Sequence, residues 1–146
     1  MASSRCVVVD ASCMLALVAS WHERHEAVRV ALERLLSTKH RLAVSAHSLV
    51  EAYAVLTRLP APYRVSPDVA HDLIRKNFGR ADVAALTSNG YWSLLERNAA
   101  RGVAGGRSYD ALIAQAASTV APCVLLTLNA RHFGPLDTPG VTIAEP

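Results

Sequence analysis

Short apolar runs alternate along the chain with longer segments in which apolar residues recur at helical spacing. The short runs cover residues 7–9, 42–45, 82–86, 123–127 and 141–143. Runs of this length, bounded by turn residues, predict strands. Strands that alternate with helices predict a three-layer α/β/α domain around a central, mainly parallel sheet. We find no linker or shift in composition, so we expect a single domain over residues 1–146.

Helical spacing predicts six helices between and after these strands. They cover about 11–20, 22–36, the residues after 45 up to Pro60, 66–78, 88–101 and a last segment that begins near 108. Ser66 followed by Pro67 is a typical helix start, and Ser108 is the expected cap of the last helix. His22 and His25 are three residues apart, which excludes the four-residue spacing of a zinc protease helix.

Asp10 is the first candidate functional residue because it follows a β-branched run and precedes another apolar stretch. A buried carboxylate is costly unless it is paired, hydrogen-bonded or bound to a metal. Open α/β folds bind ligands at the carboxyl ends of their strands. Thr127 and Asn129 stand at the end of a later strand as Asp10 and Ser12 do after the first one. These four residues should therefore lie at one edge of the sheet.

Two further acids follow predicted strands or open predicted helices. Glu51 has a competing structural explanation, because Ser48 and Glu51 match the S-x-x-E capping box. Asp110 could be a helix-start acid that complements the helix dipole. However, Ile113 and Ala114 share its face, which is the face that a helix in such a fold buries.

Three carboxylates at one edge would need a cation. Two carboxylates ~4 Å apart repel by roughly 4 kcal/mol at an effective dielectric of 20. Such a pair or triplet requires a bound metal or a shared proton. Oxygen ligands favour magnesium or manganese over zinc, and these ions promote phosphodiester hydrolysis. Asp10, Glu51 and Asp110 therefore predict a Mg²⁺ or Mn²⁺ site.

The composition narrows the class of protein further. Fifteen Lys and Arg against twelve Asp and Glu give a net charge of +3 and a pI near 9.0, which permits a polyanionic partner. With 51% hydrophobic residues the chain is globular, not disordered. Three cysteines without CxxC spacing argue against a disulfide framework and predict a reducing compartment. No run approaches the ~20 apolar residues of a membrane span, so we expect a cytoplasmic protein.

Four motifs in order resemble one known family. They are Val8-Val9-Asp10-Ala11-Ser12, Ser48-Leu49-Val50-Glu51-Ala52-Tyr53, Gly106-Arg107-Ser108-Tyr109-Asp110-Ala111 and Leu125-Leu126-Thr127-Leu128-Asn129. Together they are similar to the PIN-domain ribonucleases and, more narrowly, to VapC toxins of type II toxin–antitoxin systems. The resemblance covers nearly the whole chain.

This resemblance implies roles for particular residues. Asp10, Glu51 and Asp110 match the acidic metal-binding residues, and Ser12 matches the small hydroxyl residue beside the first acid. Asn129 occupies the place where many members carry a fourth acid, and it brings no negative charge. With the acids it completes the expected catalytic set.

The resemblance also implies an activity and partners. It implies a Mg²⁺- or Mn²⁺-dependent endoribonuclease that cleaves structured RNA, forms a homodimer and is inhibited by a VapB-like antitoxin whose peptide fills the acidic groove. Thr127 is a candidate supporting residue, and Arg107 and Arg131 are candidate phosphate contacts because they flank two of the motifs. We expect His47 and His132 to be structural, and Trp21, Tyr91 and Trp92 to pack within the fold.

Two other classes of function are open. A catalytically silent RNA-binding or protein-interaction module would use the same fold, and the neutral Asn129 favours it. A phosphatase of the haloacid dehalogenase type would need a second aspartate where this chain has Ser12, which makes it the weakest hypothesis.

Overall fold

The computed structural model describes residues 5–146 and contains five strands that alternate with helices. The strands are β1 (Cys6–Val9), β2 (Arg41–Ser45), β3 (Asp82–Ala84), β4 (Cys123–Leu126) and β5 (Val141–Ala144). The helices are α1 (Ala11–Val18), α2 (His25–Ser37), α3 (Ala46–Leu56), α4 (Pro67–Phe78), α5 (Ser88–Arg101), α6 (Arg107–Ser118) and α7 (Ala130–Phe133).

The five strands form one sheet in the order β3-β2-β1-β4-β5, and every neighbouring pair is parallel. Strand β1 is central: its last residue, Val9, pairs with Val44 of β2 and with Leu126 of β4. The carboxyl ends of these three strands therefore meet at one edge. The predicted α/β/α architecture with a parallel sheet is confirmed.

Alternate residues of β1 supply the two faces of the core. Val7 and Val9 pack with α1, α2 and Phe78 of α4, whereas Cys6 and Val8 pack with α5, α6 and Phe133 of α7. This follows from the two-residue repeat of a strand. Because both faces are covered, all four residues of β1 are buried, which explains why the segment is apolar without interruption.

The alternative capping box at Ser48 and Glu51 does not form, and the expected Ser108 cap is wrong. The side chain of Ser45 accepts from the backbone N–H of Ser48 at 3.0 Å, so α3 begins one turn earlier than the Ser48 and Glu51 capping box requires. Helix α6 begins at Arg107 after Gly106 with no side-chain cap, so Ser108 lies inside the helix. Glu51 is consequently free of a capping role.

The ends of α1 and α2 also differ from the sequence prediction. Helix α1 ends at Val18 and α2 begins at His25, because the residues between them form a turn. In that turn the ring Nδ1 of His22 accepts from the backbone N–H of Arg24 at 3.0 Å. The helical spacing of apolar residues in the sequence gives no indication of this hydrogen bond.

The expectation that three aromatic residues pack within the fold is wrong. Trp92 is 73% exposed, Trp21 50% and Tyr91 47%. Trp21 packs on Tyr63 with ring centroids 4.3 Å apart, but both rings lie at the surface. Within residues 5–146, no helix is both long enough and apolar enough to cross a bilayer.

Candidate metal site

Asp10 is the buried acid at the centre of the carboxyl edge. It follows β1, is 5% exposed and caps the start of α1. Its Oδ1 accepts from the Ser12 hydroxyl at 2.6 Å and from the Cys13 backbone N–H at 3.1 Å, and its Oδ2 accepts from the Thr127 hydroxyl at 2.6 Å. Hydrogen bonds from two strand ends thus offset part of the cost of burying this charge.

The hydrogen bonds of Asp10 leave limited room for a cation. An ionised carboxylate has about four lone-pair sites, and three of those on Asp10 already accept hydrogen bonds. The remaining one is on Oδ2. Burial raises the pKa of Asp10, while the bonds from Ser12, Thr127 and Cys13 oppose that rise. The site therefore holds a carboxylate in a position where a positive charge would be favourable.

Ser12 and Thr127 also connect the two loops that follow β1 and β4. The Ser12 hydroxyl accepts from the backbone N–H of Leu128 at 3.0 Å. The Thr127 hydroxyl accepts from the backbone N–H of Asn129 at 3.0 Å. Each hydroxyl donates to Asp10 and accepts from the β4 loop. The carboxylate is therefore fixed relative to both strand ends.

We expect Thr127→Val to lower the free energy of unfolding by about 1–3 kcal/mol, because it leaves buried Oδ2 of Asp10 and the Asn129 N–H without their partner. Thr127→Ser keeps the hydroxyl and is the matched control. Urea unfolding of both variants measures the difference. If valine is no more destabilising than serine, the hydroxyl does not have this role.

Asp110 lies in the first turn of α6, with 23% of its side chain exposed. Its Oδ2 is 3.9 Å from Nδ1 of His132 on α7, and the Arg107 guanidinium donates to the His132 carbonyl at 3.4 Å. Burial raises the pKa of Asp110, and the nearby His132 and Arg107 oppose that rise. Like Asp10, this acid is held where a cation would stabilise its charged form.

Glu51 is the most exposed of the three acids, with 43% of its side chain accessible. Its Oε2 is 3.3 Å from Nε2 of His47, one helical turn earlier on α3. The His47 ring stacks on Tyr109 of α6, with centroids 5.2 Å apart and planes 5° apart. This stack connects the two helices that carry Glu51 and Asp110.

The predicted site residues are brought together only in part. Asp10, Ser12, Thr127 and the backbone of Asn129 form one hydrogen-bonded network. Across residues 5–146, however, no three His, Cys, Asp or Glu side chains lie close enough to form a metal-binding cluster. Among these residues the three acids therefore do not form a compact group; Glu51 lies beside His47 and Asp110 beside His132.

Two histidines were missed as partners of the acids. The four-residue spacing of His47 and Glu51 on one helix is a signal that could have revealed the first contact. No local signal links His132 to Asp110, because the contact joins α7 to α6. Asn129, Arg107 and Arg131 are exposed at the same edge, and the Asn129 side chain does not cap α7.

The oxygen donors at this edge fit a hydrated Mg²⁺ or Mn²⁺ ion. Mg²⁺ commonly retains several waters and uses one or two carboxylates, so it does not require a compact group of three acids. The free lone pair of buried Asp10 provides one such donor.

Comparisons with known proteins agree with the fold and the order of the motifs. The sequence profile of the PIN domain matches residues 7–133. Ribonuclease VapC40 of Mycobacterium tuberculosis is 37% identical over 125 residues, which are 86% of this chain and 87% of that protein. Ribonuclease VapC27 of the same species is 35% identical over 113 residues, 77% of each protein.

A solved structure shows the same fold at low identity. The structure of VapBC2 from Rickettsia felis, bound to a DNA fragment from their promoter, superposes with a TM-score of 0.67 and 16% identity. The match covers 97% of this chain and 98% of that one. By profile, sequence identity and fold, the chain belongs to the PIN domain family, in its VapC group.

Proposed function

We propose that this protein is the toxin of a type II toxin–antitoxin pair and acts as a Mg²⁺- or Mn²⁺-dependent endoribonuclease, with residues 1–146 forming a single PIN-like domain. The observation that carries the proposal is the 37% identity to Ribonuclease VapC40 over 86% of the chain. The buried, hydrogen-bonded Asp10 at the carboxyl edge supports it, because such a carboxylate suits a cation.

In this proposal Asp10, Asp110 and Glu51 hold the metal, and Asn129 completes the catalytic set. The bound ion would stabilise the charge of the phosphoryl transition state and acidify a water. Ser12 and Thr127 fix the Asp10 carboxylate by the bonds described above. Because Asn129 is neutral, we propose one tightly held ion.

The surrounding side chains have supporting roles in the proposal. His47 and His132 are the ring neighbours of Glu51 and Asp110, with nitrogen–oxygen distances of 3.3 Å and 3.9 Å. Arg107 and Arg131 are exposed beside the acids and would contact RNA phosphates. Positively charged side chains are needed beside the acids because RNA phosphates and carboxylates repel each other.

The activity is tested by incubating the purified protein with end-labelled structured RNA in Mg²⁺, in Mn²⁺ and in EDTA. We expect internal cleavage with either ion, loss of cleavage in EDTA and recovery when excess metal is restored. Cleavage at the full rate in EDTA would contradict the metal-dependent mechanism. Heat-denatured protein is the control for a contaminating nuclease.

We also propose a VapB-like antitoxin and a homodimer. The VapBC2 structure supports the antitoxin proposal, since it is a VapBC complex bound to a DNA fragment from its promoter. An apolar cleft of about 370 Å³ beside Ser12 and Asn129 could hold apolar side chains of an inhibiting peptide. Its apolar lining is Leu15, Ala19, Trp21, Val55, Leu56, Leu59 and Leu128.

Co-expression tests these partners. We expect the product of a short reading frame directly upstream to co-purify with the protein and to stop RNA cleavage, and light scattering of the protein alone to give twice the 15.6 kDa chain mass. A monomer mass would contradict the homodimer. The three buried, unpaired cysteines suit a reducing compartment, which we propose is the cytoplasm.

A catalytically silent RNA-binding module is the second candidate function. The neutral Asn129 and the dispersed acids favour it. It predicts RNA binding that is independent of metal, with no cleavage in Mg²⁺ or Mn²⁺. The metal series above separates the two candidates.

A further inference from the structure

Tyr109 is an exposed aromatic residue directly before Asp110. It is 57% exposed, although its ring has a defined orientation. The His47 ring covers one face with a centroid distance of 5.2 Å, and Nε2 of His47 is 3.3 Å from Oε2 of Glu51. Since one face is covered, the exposure belongs to the remainder of the ring.

The core and hydrogen bonding do not explain this tyrosine. It does not belong to either apolar cluster, and its hydroxyl makes no hydrogen bond within residues 5–146. The stack on His47, which connects α3 to α6, explains one face of the ring. The opposite face of the ring has no partner among the described residues.

An open aromatic face beside a nuclease site suits a nucleobase. Sequence-tolerant recognition of single-stranded RNA relies on bases that stack on aromatic side chains. Tyr109 stacks on His47, whose Nε2 is 3.3 Å from Glu51, and in the sequence it directly precedes Asp110 and follows exposed Arg107 by two residues. An RNA strand whose phosphate reaches the acids would therefore pass this ring.

We propose that Tyr109 stacks on an unpaired nucleobase next to the cleaved phosphodiester, while His47 supports the opposite face of the ring. This inference rests on the proposed ribonuclease function and assigns a base contact to that site. The contact requires an unstacked base at the cut. A continuous A-form duplex does not present one, because its bases are paired and stacked.

The test measures stacking directly. Binding of RNA that carries 2-aminopurine beside the cut made by the wild type is followed by fluorescence, in an Asp10→Asn background that does not cleave it. We expect quenching when Tyr109 is present and no quenching in Tyr109→Ala, with binding weaker by about 5- to 150-fold, the equivalent of 1–3 kcal/mol per stacked base.

Three matched proteins make the result specific. Tyr109→Phe keeps the ring and should restore quenching. Trp92→Ala removes a more exposed aromatic, at 73%, that stacks on no other ring in the described part of the chain, and should behave as wild type. In a background with intact Asp10, Mn²⁺ should raise the unfolding temperature of Tyr109→Ala as it does for wild type, which shows that the acids are undisturbed.

Three results would count against the inference, and they separate its failure from failure of the proposed function. If wild type cuts RNA but Tyr109→Ala binds and quenches equally, the stacking role is wrong while the ribonuclease proposal stands. Equally fast cleavage of a continuous duplex and of a single strand would also contradict the stacking role and leave the ribonuclease proposal standing. If wild type cuts no RNA in Mg²⁺ or Mn²⁺, the proposed function itself fails.

Discussion

Asp10→Asn is expected to raise the unfolding temperature of the metal-free protein while it abolishes RNA cleavage. Burial raises the pKa of Asp10, so its charge opposes folding near neutral pH. Asparagine removes the charge and keeps an oxygen that can accept from the Cys13 N–H, as in a helix cap, and its amide N–H can donate to the Thr127 hydroxyl in place of the bond that Oδ2 accepts. Each kcal/mol gained corresponds to about 2–4 °C.

The pH dependence of this effect has a definite sign. The folded pKa of Asp10 lies above its ordinary value of 3.8, so the folded state binds the proton more tightly than the unfolded state. The Asp10 contribution to stability therefore falls as pH rises from the ordinary value through the folded one, and stays low above it. Asp10→Asn has no such loss of stability with rising pH. We therefore expect it to become more stable than wild type over the same pH interval.

Thermal unfolding in EDTA between about pH 4 and about pH 8 measures this difference. Asp72→Asn is the matched control, because its carboxylate is 66% exposed and lies outside the site. Mn²⁺ should stabilise wild type and Asp72→Asn but not Asp10→Asn, because only a protein that binds the ion gains stability from it. A metal-free Asp10→Asn that is less stable than wild type throughout would contradict the account.

Asp110→Asn is expected to lower the rate of RNA cleavage by about 10³-fold, which corresponds to ~4 kcal/mol of transition-state stabilisation. The partly buried carboxylate would be a direct metal donor. Glu51→Gln should cost less, about 10-fold, because this acid is 43% exposed and faces His47. Cleavage rates under saturating RNA measure both. Wild-type activity of the Asp110→Asn variant would contradict the assignment of this acid to the metal site.

As the pH is lowered, the cleavage rate should begin to fall at a higher pH than it would if the site aspartates had ordinary pKa values. Both carboxyls must be ionised to hold the cation, and burial raises the pKa of Asp10 and of Asp110. In the metal-free protein protonation therefore begins above the ordinary aspartate pKa of about 3.9, and Mg²⁺ must displace these protons to bind. Initial rates across a pH series, at a Mg²⁺ concentration below saturation, test this direction.

The fold could be predicted because its signals are local. Each strand is a short apolar run, and the complete burial of β1 explains why its run has no polar interruption. The helix starts were harder. Ser45 and Ser48 both stand at plausible capping positions, and only the end of β2 at Ser45 decides between them. That choice depends on strand pairing, which local spacing does not encode.

The side-chain geometry of the site depends on distant contacts. The sequence predicts that Asp10, Glu51 and Asp110 share one edge, but it does not indicate which way each acid faces. Asp10 receives its second hydroxyl from Thr127, 117 residues away. The stack of His47 on Tyr109 joins α3 to α6 and has no counterpart in either segment alone. The acids consequently have more partners, and are less clustered, than charge arguments predict.

Cleavage of one end-labelled RNA by wild type, Asp10→Asn and Asp72→Asn in Mg²⁺ tests the central claim most directly, namely that the carboxylate of Asp10 is essential to a metal-dependent ribonuclease. We predict that wild type and Asp72→Asn cut the RNA at the same positions and rates, while Asp10→Asn leaves it intact. Equal cleavage by all three proteins would contradict the claim, since the buried acid would then have no part in the reaction.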